Sequence, residues 1–158
     1  MSTIDKIEVE KFSKLAKDWW NPEGKFKPLH LFNSTRIEFI KKKLISYFKL
    51  NIDSKEPLRK LKILDIGCGG GLLCEPLSRM GATMTGIDAS KNNIEVAKLH
   101  SNEMGLDIKY FHSSPEKFKI IFICNNRCRI YIKMVANWNS RLEQIFNTSR
   151  TGGSYNYK

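Results

Sequence analysis

Hydrophobic positions along the chain fall into two regimes. Up to about residue 60 they recur at helical spacing, and beyond it they gather into short runs punctuated by glycines. Phe12, Leu15, Ala16 and Trp19 mark one face of a first helix, which Asn21-Pro22-Glu23-Gly24 ends. Residues 25–32 read as irregular, with Asn33-Ser34 as the N-cap of a second helix. Ile37, Ile40, Leu44 and Phe48 line that helix; Lys41, Lys42 and Lys43 lie mostly on its other side and read as a solvated face before they read as a contact for acidic lipid or nucleic acid. Residues 51–60, with Pro57, connect to the next regime.

There the period shortens. Residues 61–66, LKILDI, make an apolar strand that runs into Gly67-Cys68-Gly69-Gly70-Gly71. A helix over residues 72–80 comes next, closed by Gly81. Residues 82–87 form a second strand ending at Asp88, and residues 92–104 a second helix of this regime, closed by Gly105. Residues 106–111 supply a third strand and residues 119–124, KIIFIC, a fourth. Residues 130–135 are a further strand candidate, and Ser140-x-x-Glu143 caps a short helix. Strands alternating with helices predict an α/β fold, a parallel sheet with right-handed crossovers.

The glycine turn is where chemistry enters. A glycine-rich loop after the first strand of such a unit lets a ligand lie against bare backbone, and the next helix aims its first N–H groups there. Asp88, at the end of the second strand, is placed for a carboxylate to accept the ribose hydroxyls of an adenosine. A dinucleotide fingerprint needs a small residue at position 72, and Leu72 argues against a nicotinamide enzyme. The run D-I-G-C-G-G-G, with Asp65 two residues ahead of the first glycine, resembles the first motif of S-adenosylmethionine-dependent methyltransferases. That resemblance implies a Rossmann-like class I fold, incomplete here in the C-terminal half of the sheet. It also implies that Gly67, Gly69 and Gly71 cradle the amino-acid end of the cofactor, that Asp65 orients its amino group, and that Asp88 holds its ribose.

Upstream the likeness narrows. Trp19-Trp20-Asn21-Pro22-Glu23-Gly24-Lys25-Phe26-Lys27-Pro28-Leu29-His30, with Asn33 and Arg36, is similar to the N-terminal signature of the ubiquinone biosynthesis O-methyltransferases. LDIGCGGG, GATMTGID and VAKLH extend that likeness over roughly residues 10–118. The family places an Arg on the cofactor, which implies that role for Arg36. It implies S-adenosyl-L-methionine as cofactor, with a divalent cation in complete members, and a polyprenylated catechol as substrate. The reaction is then in-line displacement, accelerated by positioning and by a lowered phenol pKa. Membrane-surface contact, a ubiquinone-biosynthesis complex, a cytoplasmic or inner-membrane-peripheral location and no nucleic-acid partner belong to the same expectation. Trp19, Trp20 and Phe26 read as core before they read as a substrate entrance. His30 matches a motif position without being catalytic, and His100 and His112 read as helix and loop residues. Catalytic residues are unassigned, and the spacings of Cys68, Cys74, Cys124 and Cys128 argue against a structural metal.

Composition sharpens this picture at one point. Of 158 residues, 41% are hydrophobic and 27% charged, which excludes collagen, coiled coil and wholesale disorder. The N-terminus lacks an apolar secretory core and no run is long enough for a membrane span. The net charge of +11 invites a nucleic-acid reading. Its distribution does not: residues 1–118 carry 20 basic and 15 acidic side chains, and residues 119–158 carry 7 and 1. A nucleic-acid methyltransferase would also want a catalytic Asn/Asp-Pro-Pro-aromatic segment, which Asn125-Asn126-Arg127-Cys128 is not.

The family likeness stops where the charge changes. In place of the family's acidic, His-containing segment the chain has Cys124-Asn125-Asn126-Arg127-Cys128-Arg129. These observations divide the chain into a helical cap over 1–56, a Rossmann-like core over 57–124 and a divergent tail over 125–158. They point to a change of reading frame near codon 118, which translation of the other two frames would check. The corresponding alternative is a truncated, non-catalytic remnant, marginally stable and weakly active, that keeps part of the cofactor site.

Overall fold

A computed structural model describes residues 6–114, 117 and 129–133. Helix α1, Lys6–Lys14, tightens into a 3₁₀ turn at Ala16–Asp18. The first helix therefore ends before Trp19, short of the stretch its apolar spacing predicts. The Asn21–Gly24 break stands, with Gly24 N–H bonded to the Asn21 carbonyl.

Helix α2, Lys27–Phe48, starts well before the expected cap at Asn33. Pro28 is the reason: it occupies the first turn, where a missing N–H costs nothing and a fixed φ suits the helix. Asn33 is consequently an interior helix residue, free to spend its side chain elsewhere. The helix stops at Lys49, in the left-handed region at φ 52°, with Leu50 N–H bonded to the Ile45 carbonyl. Ile40 and Leu44 are buried on its inner face, while Glu38 pairs with Lys41 and Lys42 on the outer one. The triple lysine is thus a solvated face.

The second regime builds the sheet: β1 Lys62–Ile66, α3 Cys74–Arg79, β2 Thr83–Asp88, α4 Lys91–Glu103, β3 Lys109–His112 and β4 Arg129–Lys133. The strand order is β3-β2-β1-β4, and every pairing is parallel. Strand β3 begins later than the hydrophobic pattern predicts. Gly105, at φ 66°, turns the chain so that Leu106 N–H closes α4 on the Ser101 carbonyl, and Leu106 is spent on the helix end. His112 accordingly lies in β3 and not in a loop. Of the two late strand candidates, the one over 130–135 is represented by β4, paired with β1 from Lys62↔Arg129 to Ile66↔Lys133. The predicted strand over 119–124 and the helix cap at Ser140 fall outside the described residues.

Alternation along β1 sorts the core. Ile63 joins Ile40, Leu44, Leu77, Met84, Ile94, Ala97 and Tyr110 in a single cluster beneath α2, α3 and α4. Leu64 faces the other way, with Ile87 and Ile66. Asp65, two residues beyond Ile63, therefore shares the helix-covered face. A second cluster of Ala16, Trp19, Phe26 and Leu72 fastens the N-terminal segment to the start of the loop-helix turn.

Candidate functional site

Ile66, Asp88 and His112 end β1, β2 and β3 at one edge of the sheet, the carboxyl edge at which open α/β sheets bind ligands. Gly67 to Gly71 crosses this edge. Gly69 and Gly71 sit at φ 55° and 92°, conformations that side chains resist, so the turn requires glycine for its shape alone.

Close packing is the second requirement. A Cβ at Gly69 would lie 2.5 Å from Trp19 Cζ2, and one at Gly70 would lie 2.5 Å from Trp19 Cβ. A Cβ at Gly71 would lie 2.5 Å from the Tyr110 hydroxyl. The loop is bare, as expected, but part of its bareness admits the protein's own aromatic rings. Trp19 is buried and stacks on Phe26 at 4.0 Å between centroids, which settles both as core.

Asp65 has no exposed surface. Its Oδ2 accepts a weak bond from the Cys74 thiol at 3.4 Å, and its Oδ1 has no hydrogen-bond partner among the described residues. Burial pushes this carboxyl up to about 6, against the opposing pull of the nearby Arg36 guanidinium. Arg36 is itself buried, and desolvation lowers its pKa while Asp65 raises it. Its Nη2 donates to Asn33 Oδ1, and Asn33 Nδ2 donates to the Leu72 carbonyl at 2.9 Å. Helix α2 thus delivers Arg36 to Asp65 and pins itself to the loop one turn earlier. Cys68 and Cys74 are free thiols, and burial raises both above the ordinary thiol value. They serve as packing.

Asp88 is bound into the loop. Its Oδ2 accepts the Gly69 N–H at 2.9 Å, and its Oδ1 accepts the Ser90 N–H at 2.8 Å and Asn93 Nδ2 at 3.2 Å. Of the six expected site residues, Arg36 and Asp65 feel each other's charge, while Asp88 and Gly69 are joined by a hydrogen bond. Gly67 joins the turn to β2 through its N–H on the Ile87 carbonyl, at 2.8 Å.

Two residues around the site, Asn93 and Glu75, carry no expectation from the sequence. Asn93 receives the Trp19 Nε1 proton at 2.9 Å. Trp20 Nε1 donates to the Gly70 carbonyl at 3.0 Å, and its ring stacks on His100 at 3.6 Å. His100 Nδ1 lies 2.6 Å from Oε1 of the buried Glu75, whose Oε2 meets Arg79 at 3.4 Å. Glu75 had a legible signal, a lone acid on the inward side of an apolar helix start; Asn93 had none. His30 Nε2 lies 2.8 Å from the Trp19 carbonyl and His112 Nε2 lies 3.0 Å from the Ala89 carbonyl, so both are tied to backbone.

Residues 63–153 match the family model described as a methyltransferase domain. The chain belongs to that methyltransferase family. The ubiquinone biosynthesis O-methyltransferase of Pelagibacter ubique (strain HTCC1062) is 57% identical over 119 residues, 75% of this chain and 49% of that protein. The protein of the same name from Bartonella bacilliformis is 54% identical over 116 residues, 73% of this chain and 47% of its own length. The chain therefore spans about half the length of the curated relatives it matches. The solved magnesium protoporphyrin IX methyltransferase of Synechocystis PCC 6803, with bound SAM, shares the fold. Its TM-score is 0.55 at 21% identity, over 72% of this chain and 57% of that one. The methyltransferase match runs well past Phe118, so a non-catalytic remnant is not needed to account for the chain.

Proposed function

We propose that the chain carries the cofactor-binding part of an S-adenosylmethionine-dependent O-methyltransferase whose acceptor is a polyprenylated catechol of ubiquinone biosynthesis. The observation that carries this reading is the 57% identity over 119 residues to a relative so named. The site fits such a cofactor. A buried carboxylate oxygen of Asp65 with no hydrogen-bond partner among the described residues suits an ammonium group, and Gly67, at φ 78°, is the partly exposed glycine of the turn that follows. The arrangement also offers a carboxylate, Asp88, where a ribose would come to the end of β2.

When bound, S-adenosylmethionine supplies a sulfonium methyl that a catecholate oxygen takes by in-line displacement. The chain's own residues bind and orient. Asp65 accepts the ammonium, Arg36 keeps that carboxylate ionised, Gly67, Gly69 and Gly71 hold the amino-acid end, and Asp88 accepts from the ribose. Residues 1–56 act as a cap over a core that begins near residue 57, and Trp19 and Trp20 seal its contact with the loop.

A polyprenyl acceptor implies an encounter with a membrane surface. No helix among the described residues is long and apolar enough to cross one. Among the described residues no group of three His, Cys, Asp or Glu gathers that could hold a divalent cation.

Calorimetric titration of the chain with S-adenosylhomocysteine tests the cofactor half of this reading, and transfer of a labelled methyl group to a polyprenyl catechol tests the acceptor half. Saturable binding, weakened roughly tenfold or more by Asp88→Ala, is the expected result. Absence of binding at millimolar ligand would overturn it.

A further inference from the structure

Asn93 stands in the first turn of α4, buried, with its N–H on the Ser90 hydroxyl at 3.3 Å. Its side chain joins two parts of the molecule that are distant in sequence. Oδ1 accepts from the Trp19 indole at 2.9 Å, and Nδ2 donates to Asp88 Oδ1 at 3.2 Å. The two partners demand the same orientation of the amide. An indole N–H can only donate and an ionised carboxylate can only accept, so the oxygen must face Trp19 and the nitrogen Asp88.

The arrangement closes on itself. Asp88 Oδ2 holds the Gly69 N–H at 2.9 Å, and the Trp19 ring lies across Gly69 and Gly70. Ring, amide, carboxylate and loop therefore form one circuit. A carboxylate offers about four acceptor positions. Gly69, Ser90 and Asn93 take three of them, which leaves about one for a ligand.

We infer that Asn93 is a positioning residue that ties Trp19 of the N-terminal cap to Asp88, so that the seated cap aims the carboxylate's remaining acceptor position at one ribose hydroxyl of the adenosine ligand. This rests on the cofactor reading above and deepens it. Trp19 then influences the ribose without touching it. Loss of its N–H leaves Asp88 alone to orient the Asn93 amide, and loosens the longer of the two bonds on Asp88 Oδ1, which the Ser90 N–H still holds at 2.8 Å.

The test uses the full chain, S-adenosylhomocysteine and its 2′-deoxy and 3′-deoxy analogues, with affinities measured by calorimetry. The wild-type chain is expected to bind one of the two analogues roughly tenfold more weakly than the parent ligand, the loss of one hydrogen bond to a charged acceptor. Trp19→Phe keeps a ring on the glycines and removes only the donor. It is expected to weaken the parent ligand by roughly tenfold while leaving the discriminating analogue nearly unaffected.

Asn93→Ala is expected to do the same, and the double variant to be no worse than either single one. An equal loss for parent and analogue would mark a merely structural role and overturn the inference, as would additive losses in the double variant. So would wild-type affinities that ignore both hydroxyls. If Asn93→Ala does not fold, the Trp19→Phe comparison decides alone. A wild-type chain that binds none of the three ligands brings down the cofactor reading and this inference with it. Binding without discrimination brings down the inference only.

Discussion

Asp65 carries a charge that its surroundings resist. Burial raises the carboxyl from the ordinary 3.8 to about 6, and Arg36 keeps it from rising further. A raised folded-state value means that the native protein binds this proton more tightly than the unfolded chain does. The stability so contributed is fully present below 3.8 and is lost as pH climbs through about 6. Ligand binding runs the other way, because an ammonium prefers the ionised carboxylate. Affinity for S-adenosylhomocysteine is therefore expected to rise across the same interval. Asp65→Asn should flatten both profiles, and urea unfolding with calorimetry at a series of pH values checks them. An unchanged stability slope in the variant would show that another group controls it. Asp65 and the glycines were legible in the sequence because a positive-φ turn after an apolar strand leaves few choices of residue. Asn93 was not, because its role depends on an indole 74 residues away.

At the scale of elements, the sequence pattern and the structure part company at helix ends. The hydrophobic stripe of α2 was visible from Ile37 to Phe48, but Pro28 extended the helix backwards and put Asn33 and Arg36 on one continuous rod. That extension matters to the site, since a rod fixes the angle between the Asn33 anchor on Leu72 and the Arg36 approach to Asp65. Helices α3 and α4 are held together by a polar contact that period alone could not reveal, Glu75 against His100, with Trp20 stacked above. His100→Ala removes a partner from a buried carboxylate and a platform from Trp20 in one step. It should destabilise the fold by about 1–3 kcal/mol. His100→Gln, which keeps a donor, should recover part of that loss in urea unfolding. If the alanine variant unfolds at the wild-type midpoint, the pair is surface decoration.

On the scale of the molecule, the +11 charge first suggested an anionic partner, and its uneven distribution separated residues 1–118 from residues 119–158. The sheet crosses that division. Strand β4, Arg129–Lys133, pairs in parallel with β1 along its whole length, and the methyltransferase match reaches residue 153. The proposed cap is joined to the sheet by contacts that converge on one loop: Trp19 over Gly69 and Gly70, Trp20 on the Gly70 carbonyl, and Asn33 on the Leu72 carbonyl. None of these can be kept if the loop moves alone. Opening of the cap and deformation of the loop should therefore be one event, with one free energy. Amide hydrogen exchange checks this directly. Peptides containing Trp19–Trp20 and Gly69–Gly71 should exchange at matching rates in the free chain and slow by the same factor when S-adenosylhomocysteine is added. Binding to the native state alone raises that common opening free energy. Independent rates, or slowing confined to the glycines, would show that the cap rides on the site without being coupled to it.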